Sequence, residues 1–375
     1  MEGRSGQLDD ALASWLLTVS IPVLIFVISF TYLSWFPKCK SSGNRHTAET
    51  DFDTTKIQVS KILIHPIKSC KGTSMQEARY TLEGFEYDRK WCIINARDNS
   101  VITARQFAKM VLIHPRIVRD PSSPNEGHLE VSFPEDSGCE AFSVPLNPRE
   151  DELSHMQRVE VTLWGKKDIE GYICPSLDGR SPSTILSQYF GYSVHLVIKG
   201  PLPRKCPRTP RFPDLDAPSY FQDGFPLLIL SEESVTAVQD KVRQMIGKQG
   251  VQEAWAQQEL VVERFRPNIV IKGAGAPFVE DNITELAITS DREPADGALS
   301  AIYLVSKCTR CLMPNVDTVT GIRDNAVPYK AMITFRKGLD PARVNFPCLG
   351  CNGIFTREGV MRVGDQVHVR QIGFV

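Results

Sequence analysis

Residues 11–36 contain no charged side chain. As a helix rising 1.5 Å per residue, such a run reaches across a hydrocarbon core of ~30 Å. Trp15 stands near one end and Tyr32 and Trp35 near the other, the positions of interfacial aromatic belts. Pro22 would bend this helix without forbidding it. A cleaved signal sequence would start basic and be shorter, whereas Glu2, Asp9 and Asp10 precede this run. Lys38, Lys40 and Arg45 follow it, so the positive-inside rule places the rest of the chain on the cytosolic side. The expectation is a short acidic N-terminus (1–10), a transmembrane anchor (11–36) and a flexible polar linker (37–54).

Beyond the linker the texture is that of strands. Segments 57–64, 91–95, 111–114, 128–133 and 159–164 are rich in β-branched and aromatic residues and are separated by turn formers. Further strands are expected at 268–272, 284–289, 301–306 and 363–370, with helices at 183–190 and from Ser231. The proline-rich, basic stretch 201–218 cannot be a regular element and reads as a surface loop. The fold class is therefore mostly β (α+β), with peripheral helices and two linked β regions meeting between 165 and 200. The 43 basic and 44 acidic residues leave no electrostatic footprint for nucleic acid. Ten cysteines in dissimilar contexts fit reduced thiols in a cytosol-facing protein.

The chemistry concentrates late. An apolar strand beginning at Tyr303 runs into Cys308-Thr-Arg-Cys311, and a second pair, Cys348 and Cys351, follows a long spacer. Thiolate sulfur is a soft donor for transition metals and a redox centre. On spacing alone, a four-sulfur zinc site, inert core cysteines and a redox or transition-metal role all stay open. Lys68 and Ser69 end an apolar strand before a glycine turn, while Arg89 and Arg266 each stand at the mouth of a strand. Taken singly, each reads equally as ordinary exposed charge; together they suggest a converging anion pocket, because guanidinium forks match phosphate oxygens.

Six segments then carry a family resemblance: His65-Pro-Ile-Lys-Ser-Cys-Lys-Gly72, Asp88-Arg-Lys-Trp91, Thr103-Ala-Arg-Gln106, Phe225-Pro-Leu-Leu-Ile-Leu-Ser-Glu232, Phe265-Arg-Pro-Asn-Ile-Val270 and Cys308-Thr-Arg-Cys311. In this order and spacing they resemble MOSC-domain proteins with their N-terminal β-barrel region. More closely, with the anchor, they resemble the mitochondrial amidoxime-reducing component family. The resemblance implies an N-terminal β domain over 55–180 and a MOSC β-barrel over 181–375, with a molybdenum–molybdopterin cofactor in the cleft between them. It makes Cys311 the molybdenum ligand and the catalytic residue, and it assigns cofactor contacts to Lys68, Ser69, Arg89, Arg266, Thr309, Arg310 and Asn352. It further implies reduction of N-hydroxylated compounds such as amidoximes and hydroxylamines. Electrons would come from cytochrome b5 and its NADH-dependent reductase, at the mitochondrial outer membrane or the endoplasmic reticulum.

The chain departs from that family where Gly224-Phe225 replaces a Thr-Ser pair, and Cys348 and Cys351 are additional thiols. Cys308 is expected to be a small buried hydrophobe, and His65 and His114 to be structural or exposed. Two other classes remain in view: a sulfur-carrier MOSC module with a persulfide on Cys311, and a zinc-stabilised interaction protein using all four late cysteines.

Overall fold

The computed structural model describes residues 56–177, 179–289 and 300–373. The expected anchor at 11–36 lies outside the described residues. No helix among the described residues is long and apolar enough to cross a membrane.

The first strand, β1 (Gln58–Ile64), enters a barrel that the remainder of the chain completes only much later. A second layer follows, built from β2 (Trp91–Asn95), the three-stranded sheet β3 (His114–Arg119), β4 (Gly127–Ser132) and β5 (Phe142–Pro145), and the hairpin β6 (Arg158–Leu163) and β7 (Lys166–Ile173). Helix α1 (Pro182–Phe190) leads to β8 (Val194–Lys199), which inserts between β2 and β7 to give a four-stranded sheet in the order β2-β8-β7-β6. The barrel then resumes with β9 (Leu227–Ser231), α2 (Glu232–Gln244), β10 (Ile269–Lys272), β11 (Ile283–Thr289) and β12 (Ser300–Thr309). Helix α3 (Tyr329–Arg336), β13 (Cys348–Phe355) and β14 (Gln366–Ile372) finish it. Hydrogen bonding runs β10-β9-β13-β12-β11-β14-β1 and closes through β1 back to β10, so no edge is left in the ring. All pairs are antiparallel except β9 with β10, which α2 connects as a crossover.

Alternation along these strands explains the core. Ile62, Ile229, Ile271, Leu304 and Phe355 belong to one buried cluster, with the Tyr80 ring stacked 4.0 Å from Phe355. A second cluster, around Trp91, Ile93, Phe142 and Leu196, lies against the four-stranded sheet. Helix α1 is capped by Ser181, whose side chain accepts from Thr184 N, and α2 is capped by Ser231.

Two expectations need correction. The segment expected as a strand at 111–114 is a 3-10 turn over Ala108–Leu112, and the strand starts only at His114. Met110 and Val111 are buried by the turn, so an apolar run there reports packing rather than extension. The second CxxC is also not a metal knuckle loop. Gly350, at φ +75°, sits inside β13 where the register with β12 shifts between Lys307 and Thr309. That is a bulge, not a turn. A Cβ on Gly350 would stand 2.6 Å from the Ile229 carbonyl oxygen. Gly350→Ala is accordingly expected to cost about 1–3 kcal/mol of stability by denaturant titration; an unchanged midpoint would mean that the bulge is not constrained.

A cation-lined cleft at the mouth of the barrel

Four strand ends bring most of the candidate residues together. β1 ends in a turn carrying Lys68 and Ser69, whose backbone is tied to the second layer by Lys68 N donating to Trp91 O at 2.9 Å. The approach to β2 carries Arg89, which donates its backbone N–H to His65 O at 2.8 Å. The approach to β10 carries Arg266, and β12 runs past its last residue, Thr309, to Arg310 and Cys311. Lys68, Ser69, Arg89, Arg266, Thr309, Arg310, Cys311 and Asn352 all line one cleft. Ser69, Arg89 and Arg266 adopt left-handed backbone conformations, φ +68°, +51° and +58°. Such angles cost side-chain-bearing residues energy, and they gather at binding sites where the surrounding fold enforces them.

The four cations are not equivalent. Arg89 Nη1 donates to both oxygens of Asp88, at 2.8 and 2.7 Å, and its Nη2 donates to Arg266 O at 3.1 Å. Asp88 is fully buried and also accepts from His65 N at 2.9 Å. Burial would push this carboxyl up, but the Arg89 guanidinium and His65 outweigh it and hold it below the usual carboxylate range. Burial, then the nearby Arg266 and Arg89, push His65 well below its ordinary value, so its buried ring is neutral and structural. Lys68 Nζ donates to Phe221 O at 2.7 Å and to Asp223 Oδ1 at 2.5 Å.

Arg266 and Arg310 lack such partners. Arg266 Nη1 donates to Cys70 O at 2.6 Å, while its Nη2 is buried without a hydrogen bond. Burial, reinforced by Arg89, lowers its pKa to about 9. Arg310 Nη2 donates to Phe265 O at 2.7 Å and Nη1 to Cys308 Sγ at 3.1 Å, leaving Nε buried and unpaired. Among the described residues neither meets a carboxylate. Buried charge without a counter-charge is expensive. Two guanidiniums each with an orphaned N–H therefore leave the cleft short of a counter-anion.

The thiols divide clearly. Cys311 is half-buried at the cleft, just past the strand end. Cys308 differs from its expectation: it is half-buried like Cys311 rather than buried, lines the same cleft and takes the bond from Arg310. Burial raises its pKa, against the Arg310 charge. Cys348 is buried, its thiol pushed by burial to about 12, and the fully buried Cys351 donates to Glu280 O at 3.2 Å. Among the described residues no three His, Cys, Asp or Glu side chains are placed to share a metal ion, so the four late sulfurs do not form a zinc centre there.

Asn352 Nδ2 donates to Ser306 Oγ at 3.0 Å, and Thr309 Oγ1 accepts from Arg343 at 3.3 Å. Sequence reading did not pick out Trp164 and Asp223 as site residues, which line the cleft together with Phe225. The signals were a tryptophan followed by glycine after a strand, and an aspartate followed by glycine in a proline-rich approach to β9.

The site is thus the mouth of a closed β-barrel, with a cysteine at a strand end and buried cations around it. Residues 56–177 match the MOSC N-terminal beta barrel domain and 216–368 the MOSC domain; the chain belongs to the MOSC-domain proteins. It is 29% identical to the mitochondrial amidoxime-reducing component 1 of Mus musculus, over 83% of this chain and 82% of that protein. The Homo sapiens protein of the same name is 27% identical over the same shares. The molybdenum cofactor sulfurase of Danio rerio is 27% identical over 76% of this chain, but the match spans only 31% of that longer protein.

Proposed function

We propose that the protein is a molybdenum-cofactor oxidoreductase that reduces N-hydroxylated compounds, anchored to a membrane by residues 11–36 with its body in the cytosol. The observation that carries this reading is the pair of buried, unpaired guanidinium N–H groups beside a half-buried cysteine just past the end of β12. The names of the similar proteins point the same way.

Cys311 would supply the sulfur ligand, and Arg266, Arg310, Ser69 and Thr309 the contacts to the pterin and its phosphate. When bound, the cofactor supplies a two-electron couple able to take oxygen from nitrogen. This chain contributes the rest: Arg89, fixed by Asp88, holds the Arg266 carbonyl; Arg310 spans Cys308 and Phe265 and so fixes the strand end that presents Cys311; Lys68 holds Asp223 at the cleft mouth. Side chains already locked by neighbours lose little freedom on binding. The chain shows no nicotinamide or flavin fingerprint, so cytochrome b5 and its NADH-dependent reductase are the proposed donors. Sharing a membrane surface with them, at the mitochondrial outer membrane or endoplasmic reticulum, would raise their effective concentration.

The test is NADH oxidation driven by benzamidoxime in vesicles carrying this protein, cytochrome b5 and the reductase. Turnover that requires all three components is expected. No turnover by molybdenum-loaded protein, or a persulfide on Cys311 in its place, would overturn the reading.

A further inference from the structure

The cleft has a second wall that anion binding does not explain. β6 and β7 meet at Trp164-Gly165, with φ +53° and +77°. A tight hairpin with two positive φ values favours Asn-Gly, and a bulky indole in that conformation is costly. The indole is nevertheless 49% exposed rather than packed away. It is also held in place: Nε1 donates to Asp223 Oδ1 at 3.0 Å, and the Arg105 guanidinium carbon lies 3.9 Å from the ring centroid. Asp223 takes both of its bonds, from Lys68 and Trp164, on Oδ1. Among the described residues Oδ2 accepts none, and the side chain is 72% exposed. The Lys68 ammonium, with the Trp164 N–H and the Arg105 charge, holds this carboxyl below the usual range, so it carries its charge. Phe225 and Met313 line the same cleft, Phe225 bringing a phenyl ring where the resembling family carries a hydroxyl.

A strained, exposed and braced indole beside a charged carboxylate whose second oxygen faces the open cleft is recognition chemistry, because packing alone would bury the ring. We propose that Trp164 and Asp223 form the substrate-selecting wall of the cleft. It takes flat, π-conjugated compounds whose ring lies against the indole and whose neighbouring N–H donates to Asp223 Oδ2, namely aryl and heteroaryl amidines and their N-hydroxy forms. This rests on the cleft being the reductase site proposed above. Trp164 acts here as a specificity residue, and Lys68 and Arg105 as its braces.

The experiment uses the full-length, molybdenum-loaded protein with benzamidoxime and the ring-free acetamidoxime. In Trp164→Ala, kcat/KM for benzamidoxime relative to acetamidoxime is expected to fall about tenfold, chiefly through KM, with Trp164→Phe restoring most of it. An equal change for both compounds would overturn the proposal. A readout independent of turnover is benzamidoxime quenching of tryptophan fluorescence, expected in the natural protein, lost in Trp164→Phe and weakened in Asp223→Asn. Quenching through Trp164 without reduction of either compound would keep the wall and remove the reductase reading. No quenching in the natural protein would remove the wall.

Discussion

Cys311→Ala is expected to lower kcat/KM for N-hydroxylated substrates by more than about a hundredfold, beyond what loss of an outer-shell partner of a metal ligand gives. The fold should survive. Cys311 lies just past β12, half-buried, and its sulfur takes part in no hydrogen bond among the described residues. Its removal should therefore change unfolding free energy by no more than about 0.5 kcal/mol, as for other substitutions away from the core. Cys308→Ala is the matched control. It removes the acceptor of Arg310 Nη1 and a long contact to Thr309 O but leaves the proposed ligand sulfur in place, so its effect on kcat/KM should be much smaller. Equal losses of activity and of bound metal in the two variants would mean that neither sulfur is special.

The second large effect is structural. Asp88→Ala should destabilise the protein by about 3–5 kcal/mol, because it strands the Arg89 guanidinium in the interior and frees His65 N. At roughly 2–4 °C per kcal/mol for chains of 150–250 residues, and less for a longer one, the thermal midpoint should fall by up to about 10 °C. The same carboxylate gives a signed pH dependence. Its folded pKa lies below the ordinary 3.8, so its stabilisation is present above that value and is lost as pH falls through the depressed one. His65 acts earlier. Its folded pKa is depressed from 6.5, so the unfolded chain binds the extra proton first and stability declines as pH drops below 6.5. Denaturant midpoints at pH 7.5, 5 and 3.5 check both; the loss between pH 5 and 3.5 should be smaller in Asp88→Ala, because other depressed carboxylates such as Asp223 still contribute, and a flat profile in the natural protein would contradict the assignment.

Much of this was legible in the chain because strand ends are local events. Lys68, Arg89 and Arg266 each follow or precede an apolar run, and a closed barrel gathers such ends at its mouth. The barrel itself was harder. β1 pairs with β10 and β14 across most of the sequence, and β8 joins the sheet of β2, partnerships that no periodicity encodes. The 3-10 turn at Ala108–Leu112 carries the same residue types as a strand, and only packing decides between them. The Gly350 bulge was hidden because a glycine between two cysteines suits a metal knuckle equally well by spacing. Lys68 was legible as a cation but not as one spoken for, since Asp223 lies far along the chain. Trp164 escaped because hairpin tips are ordinarily polar, and its strain is visible only in the backbone.

The most direct measurement is the molybdenum content of the full chain purified from a host that makes the cofactor. Stoichiometric molybdenum that is lost in Cys311→Ala and persists in Cys348→Ser is the result expected of a barrel whose strand-end sulfur and unpaired guanidiniums hold that group. Folded protein free of molybdenum, or carrying zinc that depends on Cys348, would contradict it.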